Sequence, residues 1–366
     1  MALLIGGERL VMPVDAADMS STIASGTVWQ DDRGAHINAH GGGILVHEGT
    51  YYWFGEHKTS GQQGNTATHG VHVYSSTNLL EWVDEGIALA VSEDSESPIA
   101  SGCVLERPKV IYNEQTGTFV MWFHLELRGR GYDAAMTGLA VADEVTGPYT
   151  FVNALRPNAG NWPQNFEKDS EGSELVRRDF EGGQMSRDMT LYVDDDGTAY
   201  HIHASEENQT LHISELTDDF QEFTGRYVRA LPGKYNEAPA ICKYEGTYYL
   251  LTSGCTGWAP NEARLAKAPN ILGPWTELRN PCVGVNSATG LGPEKTFGGQ
   301  STFILPVPGQ AGAFVAMFDE WRPRNAMDGR YYWLPIEIKD GTMRIEWLDE
   351  LDPRMLFEGR NDAPAK

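Results

Sequence analysis

The chain repeats one β-hairpin pattern five times along its 366 residues. In each copy a polar residue opens an apolar run, a turn glycine ends that run, and an aromatic-rich return strand follows. The polar residue precedes the turn glycine by nine positions in four copies and by eleven positions in the remaining copy. The five polar residues that share this phase are His40, Glu106, Asp188, Glu237 and Gln300.

Two further strand-like runs follow each hairpin, so the repeat is a four-stranded unit of roughly 50 to 80 residues. One such unit cannot bury both of its faces, and five of them must therefore stack around a common axis. The sequence predicts an all-β fold, a five-bladed β-propeller with four-stranded blades around a central channel, and few, short helices.

The repeat also sets the expected domain boundaries. We expect residues 1–28 to form an N-terminal lead-in that packs on the propeller, residues 29–350 to form the propeller, and residues 351–366 to form a C-terminal tail. Residues 85–100 and 153–181 lack a strong strand pattern and exceed what a blade needs. They are expected to form loops on the rim of a site, and residues 153–181 are expected to influence its specificity.

The net charge of the chain limits the classes of molecule that it can bind. The formal net charge of −23 argues against nucleic acid and against an anionic membrane surface, because both require basic patches on the protein. No stretch reaches the about 18 apolar residues expected of a membrane-spanning helix, so no membrane insertion is expected. A neutral, hydrated partner fits better.

The ends of the chain and its cysteines say little about its compartment. Residues 1–15 contain no basic region of the kind that starts a signal peptide. The expected location therefore stays open: secreted or periplasmic if a leader once preceded this chain, and cytoplasmic otherwise. The four dispersed cysteines have no metal-ligand spacing and are expected to be free, buried thiols.

The shared phase of the five polar residues predicts where they meet. In a propeller the first strand of each blade lines the channel, so residues at the start of those strands converge at one mouth. A single residue there would more often bond to a neighbouring backbone group. Three carboxylates in register at an aromatic-rich mouth favour a functional site, because buried like charges are costly unless they are used.

Two carboxyl groups held across a pocket are the groups that hydrolyse glycosidic bonds, since one protonates the leaving oxygen and the other assists catalysis. Glu237 fits the acid, and Asp188 fits the neighbour that raises the pKa of Glu237 and orients it. Arg187, Arg107 and Lys109 are expected to balance the excess negative charge.

Several motifs together resemble glycoside hydrolase family 43, the five-bladed inverting glycosidases. These motifs are AHGGG at 39–43, SRD at 186–188 and NEAP at 236–239. Four further runs look more narrowly like the exo-β-1,3-galactanase branch of that family: YWFGE at 52–56, ERPKVI at 106–111, SGCTGWAPN at 253–261 and WRP at 321–323. The resemblance extends from about residue 29 to residue 347.

The resemblance implies catalytic roles. In the family at large an aspartate of the first blade is the general base, but residues 38–40 (NAH) carry no carboxylate here. The galactanase branch shares this loss, and there a glutamine of the last blade is thought to assist water in a tautomeric form beside a glutamate of the second blade. Gln300 and Glu106 stand at the matching positions. The working hypothesis is that Gln300 positions water and that Glu106 is its electrostatic partner; Glu106 as the base is the alternative.

The same resemblance implies the sugar ligands and the absence of a required cofactor. Aromatic faces stack on sugar C–H surfaces and polar groups bind hydroxyls. No metal is expected to take part in the chemistry, although a structural cation in the central channel near His40 is left as an option. The expected substrate-binding residues are Glu56, Tyr132, Asn208, Trp258, Trp321, Arg322 and His40.

The expected function is therefore an exo-acting, inverting glycosidase that releases galactose from β-1,3-galactan or arabinogalactan chains, with an oligo- or polysaccharide as its partner. Within the family, a β-D-galactofuranosidase or an α-L-arabinofuranosidase is the alternative. A carbohydrate-binding propeller without activity is a second alternative, favoured by the missing first-blade aspartate and disfavoured by the presence of both Asp188 and Glu237. A protein-scaffold propeller fits least, because a scaffold has no need of acidic residues in register.

Overall fold

The computed structural model describes residues 22–357, which are mainly β-strand. A short strand, β1 (Ile23–Ala24), comes before the first sheet. Two four-stranded antiparallel sheets follow, blade 1 and blade 2. Blade 1 contains β2 (His40–His47), β3 (Thr50–Lys58), β4 (Thr68–Ser76) and β5 (Val83–Ala90), and blade 2 contains β6 (Val104–Asn113), β7 (Thr118–Glu126), β8 (Met136–Ala142) and β9 (Thr150–Leu155).

Three more sheets complete the ring. Blade 3 contains β10 (Met189–Val193), β11 (Ala199–Ser205), β12 (Thr210–Leu216) and β13 (Phe223–Ala230); blade 4 contains β14 (Asn236–Tyr244), β15 (Thr247–Gly254), β16 (Arg264–Ala268) and β17 (Thr276–Leu278). Blade 5 contains β18 (Cys282–Val283), β19 (Gln300–Pro306), β20 (Phe314–Glu320), β21 (Arg330–Lys339) and β22 (Thr342–Glu346). The last strand, β23 (Glu350–Leu351), pairs with β1.

The innermost strands β2, β6, β10, β14 and β19 contact one another in that order, and β19 contacts β2, so the ring is closed. This arrangement confirms the predicted five-bladed β-propeller. Blade 5 differs in one respect, because β18 adds a fifth strand parallel to β22. Its two residues carry too little pattern to be recognised as a strand in the sequence.

Helices are few and short within residues 22–357, as expected. They are α1 (Glu174–Arg178), α2 (Arg354–Phe357) and three 3-10 segments at Gly64–Thr66, Pro293–Gly298 and Ala326–Asp328. None of the helices in this described part is long and apolar enough to cross a membrane. Residues 1–21 and 358–366, which make up most of the expected lead-in and tail, lie outside the described residues.

The expectation that residues 85–100 form a loop is wrong for its first part, because β5 extends through Ala90. The strand was missed because it is the outer strand of blade 1. Its alternation is weak, and Gly86, at φ 96°, lies between two register shifts of the β4–β5 pair. An outer strand needs little apolar alternation, because only part of it is covered.

Five apolar clusters hold the ring together, and each fills the space between two neighbouring blades. The cluster between blades 1 and 5, for example, contains Trp53 and Trp333, and the cluster between blades 2 and 3 contains Trp122 and Leu191. The remaining three clusters lie between blades 4 and 5, 1 and 2, and 3 and 4. Both faces of every blade are therefore buried against a neighbour, which one blade alone could not achieve.

All four cysteines are free thiols, as expected. Cys103, Cys242 and Cys282 are buried. The expectation of burial is wrong for Cys255, which is only half-buried because it lies just beyond the end of β15, beside the start of β14.

Candidate active site

A β-bulge lies at the start of four inner strands, beside the residue that opens each strand. The strand register shifts between His40 and Gly43, between Glu106 and Lys109, between Glu237 and Ala240, and between Ser301 and Phe303. Bulges of this kind often re-aim side chains beside active sites.

Three residues that follow the opening positions adopt the left-handed conformation: Gly41 at φ 60°, Arg107 at φ 56° and Ala238 at φ 52°. Only at Gly41 is glycine required by space as well, because a Cβ there would lie 2.2 Å from Glu56 Oε1. The other two carry strain that the surrounding hydrogen bonds must hold.

A cavity of about 290 Å³ opens at this mouth, and residues from all five blades line it. Four of the five opening residues line it: Glu106, Asp188, Glu237 and Gln300. The fifth, His40, is not in the lining. It is fully buried beneath the cavity, where its ring stacks on Tyr331 at a centroid distance of 5.3 Å.

Glu237 lies at the start of β14 with its carboxyl group inside the cavity wall. Burial and the negative charge of Asp188 raise the pKa of Glu237 to about 7. Asn208 Nδ2 donates to Glu237 Oε1 at 2.9 Å and fixes its orientation. Asp188 Oδ2 in turn accepts from the Ala238 backbone N–H at 3.0 Å, so the two carboxyl groups are tied to the same stretch of backbone. Glu237 is thus a carboxylic acid that holds its proton close to neutral pH.

Replacing Asp188 with asparagine is expected to move the alkaline limb of the pH–activity profile to lower pH, by about one unit or more. A general acid at Glu237 would work only while protonated, so activity is expected to fall as pH rises through the pKa of Glu237, about 7 in the unaltered protein. Removing the Asp188 charge lowers that pKa and leaves the charge of Arg107 to lower it further. The measurement is kcat/KM against pH, with Asp196→Asn in the turn at the far end of the same hairpin as control. An alkaline limb that stays in place or moves to higher pH would contradict this role of Asp188.

Arg107 connects Asp188, the carboxylate beside Glu237, to the fifth blade. Its Nη2 donates to Asp188 Oδ2 at 3.0 Å and to Gln300 Oε1 at 2.6 Å, and its guanidinium lies 5.1 Å from the centre of the Trp321 ring. Trp321 Nε1 also donates to Gln300 Oε1, at 2.8 Å. Both partners of that oxygen are donors only, so the atom facing them is the carbonyl oxygen of an ordinary amide.

The other end of the Gln300 amide faces a serine: Nε2 donates to Ser253 Oγ at 2.8 Å. One N–H of the amide remains, and it is a donor. In this arrangement Gln300 offers a hydrogen bond to the oxygen of a water and has no free acceptor for the proton of that water. The imidic acid form that the resemblance implied would place an O–H against two donors.

Glu106 is held by donors on both oxygens. His124 Nδ1 lies 3.1 Å from Oε2, and the Tyr132 hydroxyl donates to Oε1 at 2.9 Å. Burial alone would raise the pKa of Glu106, but the hydrogen bond and charge of His124, together with the charge of Lys58 and the hydrogen bond from Tyr132, outweigh burial and lower it to about 2. So weak a base removes a proton from water poorly, which favours Glu106 as an electrostatic partner over Glu106 as the base.

The ligand atoms of Glu106, His124 and Asp188 lie within 4.8 Å of one another, a spacing that a metal ion can require. Each ring nitrogen of His124, however, already faces a carboxylate oxygen: Nδ1 lies 3.1 Å from Glu106 Oε2 and Nε2 lies 3.0 Å from Glu126 Oε1. The donor set here fits a protonated ring between carboxylates better than a metal centre.

Five of the seven expected sugar ligands line the cavity: Glu56, Tyr132, Asn208, Trp258 and Trp321. Both oxygens of Glu56 are already bonded, to the Arg107 N–H at 2.9 Å and to Lys58 Nζ at 2.7 Å. The sixth, Arg322, is not in the lining. Its guanidinium pairs with Glu320 and Asp328. The seventh, His40, lies beneath the cavity.

Sequence reasoning missed some of the lining. Asn65 was not considered, because it lies in a short 3-10 turn of a polar stretch with no motif. His124 stands directly opposite Glu106 in the β6–β7 register, so counting across that hairpin could have found it. Arg107 and Arg187 were considered only as balancing charges, and both line the cavity.

The expected role of residues 153–181 is not supported, since none of them lines this cavity. They pack instead along blade 3: Gln164 N donates to Tyr227 O at 2.9 Å, and Arg229 lies 3.9 Å from the centre of the Phe166 ring. The segment reaches the cavity only indirectly. Arg178 pairs with Glu207, which also pairs with Arg187, and Arg156 donates to the backbone oxygens of Asp133 and Ala134, next to Tyr132.

Three polar atoms of the lining are buried and have no hydrogen-bond partner among the described residues: Asn65 Oδ1, Arg187 Nε and Asn208 Oδ1. A buried polar group without a partner is costly, and such groups in a pocket wall are suited to bind a ligand rich in hydroxyl groups.

Comparisons with known proteins agree with this chemistry. The family model for glycosyl hydrolases family 43 matches residues 42–299. Among solved structures, a GH43 β-1,3-galactosidase with galactodeoxynojirimycin is 52% identical, with a TM-score of 0.84 over 89% of this chain and 99% of that chain. No curated protein matches the chain.

Two exo-β-1,3-galactanases are also similar. The enzyme from Clostridium thermocellum is 34% identical, with a TM-score of 0.76 over 91% of this chain and 67% of that chain. The enzyme from Phanerochaete chrysosporium, solved with galactose, is 33% identical, with a TM-score of 0.74 over 90% of this chain and 67% of that chain. The resemblance read from the sequence motifs is confirmed, and the chain belongs to glycoside hydrolase family 43, whose members hydrolyse glycosidic bonds.

Proposed function

We propose that this protein is an exo-acting, inverting glycoside hydrolase that releases terminal galactose from β-1,3-galactan chains, including those of arabinogalactan. The observation that carries the proposal is the 52% identity, over nearly the whole length of both chains, to a β-1,3-galactosidase with galactodeoxynojirimycin. Two relatives named as exo-β-1,3-galactanases support the same linkage and the exo mode.

The geometry supports a division of labour in which Glu237 is the general acid. Its raised pKa lets it protonate the glycosidic oxygen as the galactosyl bond breaks. Asp188 maintains that pKa, and Arg107 neutralises Asp188 while holding Gln300. In this proposal Gln300 Nε2 donates to the attacking water, and Glu106 supplies negative charge near the oxocarbenium-like transition state. The proton that the water loses as its oxygen bonds to the sugar carbon passes to solvent, and Glu237 regains its proton from solvent after the products leave.

Sugar binding is assigned to polar and aromatic groups of the wall. The unpartnered atoms of Asn65, Arg187 and Asn208 supply one acceptor, one donor and one acceptor, which suits hydroxyl groups that both donate and accept. Trp258 is 40% exposed and its ring centroid lies 5.9 Å from that of Trp321, so it offers a face for a sugar ring.

No step of this chemistry uses a cofactor. A structural cation near His40 is a separate proposal, and the Lys109 side chain already contacts the residue that follows His40. The Lys109 ammonium is buried in the central channel, where it donates to Gly41 O at 2.9 Å. Burial and the charge of Arg107 lower the pKa of Lys109 to about 7.

The proposal is tested with end-blocked β-1,3-galacto-oligosaccharides followed by proton NMR. We expect galactose as the first product, in the α-anomeric form, and stepwise shortening of the chain. Nitrophenyl β-D-galactofuranoside and α-L-arabinofuranoside test the alternatives within the family, and Glu237→Gln serves as the control for contaminating activity. Preferential cleavage of either furanoside, or first release of β-galactose, would contradict the proposed substrate or stereochemistry respectively.

A further inference from the structure

A buried chain of three acidic and basic side chains runs away from the cavity behind Glu106. His124 and Glu126 lie two residues apart on β7, so their side chains share one face of the sheet. His124 Nδ1 lies 3.1 Å from Glu106 Oε2, and His124 Nε2 lies 3.0 Å from Glu126 Oε1. His124 is 1% exposed and Glu126 is fully buried.

A carboxylate only accepts hydrogen bonds, so a ring with a carboxylate on each nitrogen donates from both and is an imidazolium. Burial opposes that charge, but the hydrogen bonds and charges of Glu106 and Glu126 outweigh burial and raise the pKa of His124 to about 9. The other charged groups near Glu106 lie on four neighbouring segments: Lys58 and Glu56 on β3, Arg107 on β6, Asp188 just before β10, and Glu237 on β14.

Glu126 also supports the loop that carries Tyr132, the second hydrogen-bond donor to Glu106. Its other oxygen, Oε2, accepts from the backbone N–H of Ala135 at 2.8 Å. Ala135 ends the loop that carries Tyr132, and its φ of 43° is a strained value that this bond helps to hold. Tyr132 donates to Glu106 Oε1 at 2.9 Å. Both donors of Glu106 therefore depend on one buried carboxylate.

We propose that Glu126 is a positioning residue for the hydrolysis: through His124 and through the Tyr132 loop it fixes Glu106 in one orientation as a permanent anion at the cavity wall. Glu126 does not line the cavity and contacts no reacting atom. The arrangement makes Glu106 an anion that stabilises positive charge on the sugar and accepts hydroxyl hydrogen bonds, and not a group that exchanges protons with water.

The first test is the ionisation of His124 in the unaltered protein, read from its ring nitrogen shifts by NMR between pH 6 and pH 8. We expect both nitrogens to remain protonated throughout this range. A neutral ring at pH 7 would overturn the proposal. This measurement needs no activity, so it distinguishes failure of this inference from failure of the proposed function, on which the kinetic test below rests.

The second test is Glu126→Gln. The amide can keep the bond to Ala135 but cannot stabilise the imidazolium, so we expect His124 to titrate near or below neutral pH. We expect kcat/KM to fall by about tenfold to hundredfold, on the order seen when outer-shell partners of a site are removed, with the loss growing as pH rises through the new pKa of His124.

Two comparisons make the result specific. Glu215→Gln, which removes the ion pair with Arg226 on the outside of blade 3, is the matched control and is expected to leave kcat/KM unchanged. Glu126→Asp restores the charge and is expected to recover part of the activity and the imidazolium signal, even if the glutamine variant folds poorly. Equal kinetics and equal pH profiles for Glu126→Gln, Glu126→Asp and unaltered protein would overturn the proposal.

Discussion

Replacing Glu237 with glutamine is expected to lower kcat on β-1,3-galactobiose by about 10² to 10⁴-fold, the range that a general acid contributes. The leaving group of this substrate is a sugar hydroxyl, which departs poorly unless it is protonated. Glutamine keeps the size of the side chain and can accept from Asn208 Nδ2, so the pocket should keep its shape. The measurement is steady-state kinetics at pH 6, below the pKa of Glu237.

The leaving group provides the sharpest control for this role. With 2,4-dinitrophenyl β-galactoside, whose phenolate departs without protonation, the same variant is expected to lose far less activity. Glu245→Gln, in the turn at the opposite end of the same hairpin, is expected to behave as unaltered protein on both substrates. An equal loss on both substrates would mean that Glu237 does not act as the acid.

Replacing Trp53 with alanine is expected to lower the free energy of unfolding by about 3 to 5 kcal/mol, a large part of the about 5 to 15 kcal/mol typical of a folded protein. Trp53 is 1% exposed and packs on Trp333 and Tyr331 of blade 5, with centroid distances of 5.0 and 4.8 Å. It thus lies where the first blade meets the last. Chemical denaturation measures the loss, which should leave the denaturant dependence unchanged if the ring unfolds as one unit.

The matched control is Trp258→Ala, which removes a tryptophan from the cavity wall. Trp258 is 40% exposed, and the change is expected to alter stability by at most about 0.5 kcal/mol while raising KM for the galactan substrate. If Trp53→Ala were as stable as Trp258→Ala, the packing of Trp53 between blades 1 and 5 would not be what stabilises the closed ring.

Much of the fold could be predicted because the hairpin repeat is a local pattern. The apolar runs, the turn glycines and the nine-residue phase all lie within single hairpins, and stacking is then required to bury both faces of each unit. The outer strands were harder to predict. Residues 85–90 and 282–283 carry little alternation, because outer strands are only partly covered and their pairing depends on neighbours distant in the sequence.

The convergence of Glu106, Asp188, Glu237 and Gln300 followed from the same phase, since the start of every inner strand lies at one mouth. His40 shares that phase and yet lies beneath the cavity, stacked on Tyr331 of blade 5. Whether a side chain at a bulge points into the cavity or under it depends on the residues packed around it. A register count alone does not contain that information.

The sequence by itself determined the number of blades, the residues that open each inner strand and the pairing of an acid with a second carboxyl group, because these follow from short-range periodicity and from side-chain chemistry. Only the tertiary structure decided the state of two other groups: a lowered pKa for Glu106, which the sequence had left as a possible base, and an ordinary amide at Gln300. The physical reason is that ionisation and hydrogen-bond direction are set by burial and by neighbours within a few ångströms. In this protein those neighbours, Arg107, His124 and Trp321, come to each group from other strands and other blades.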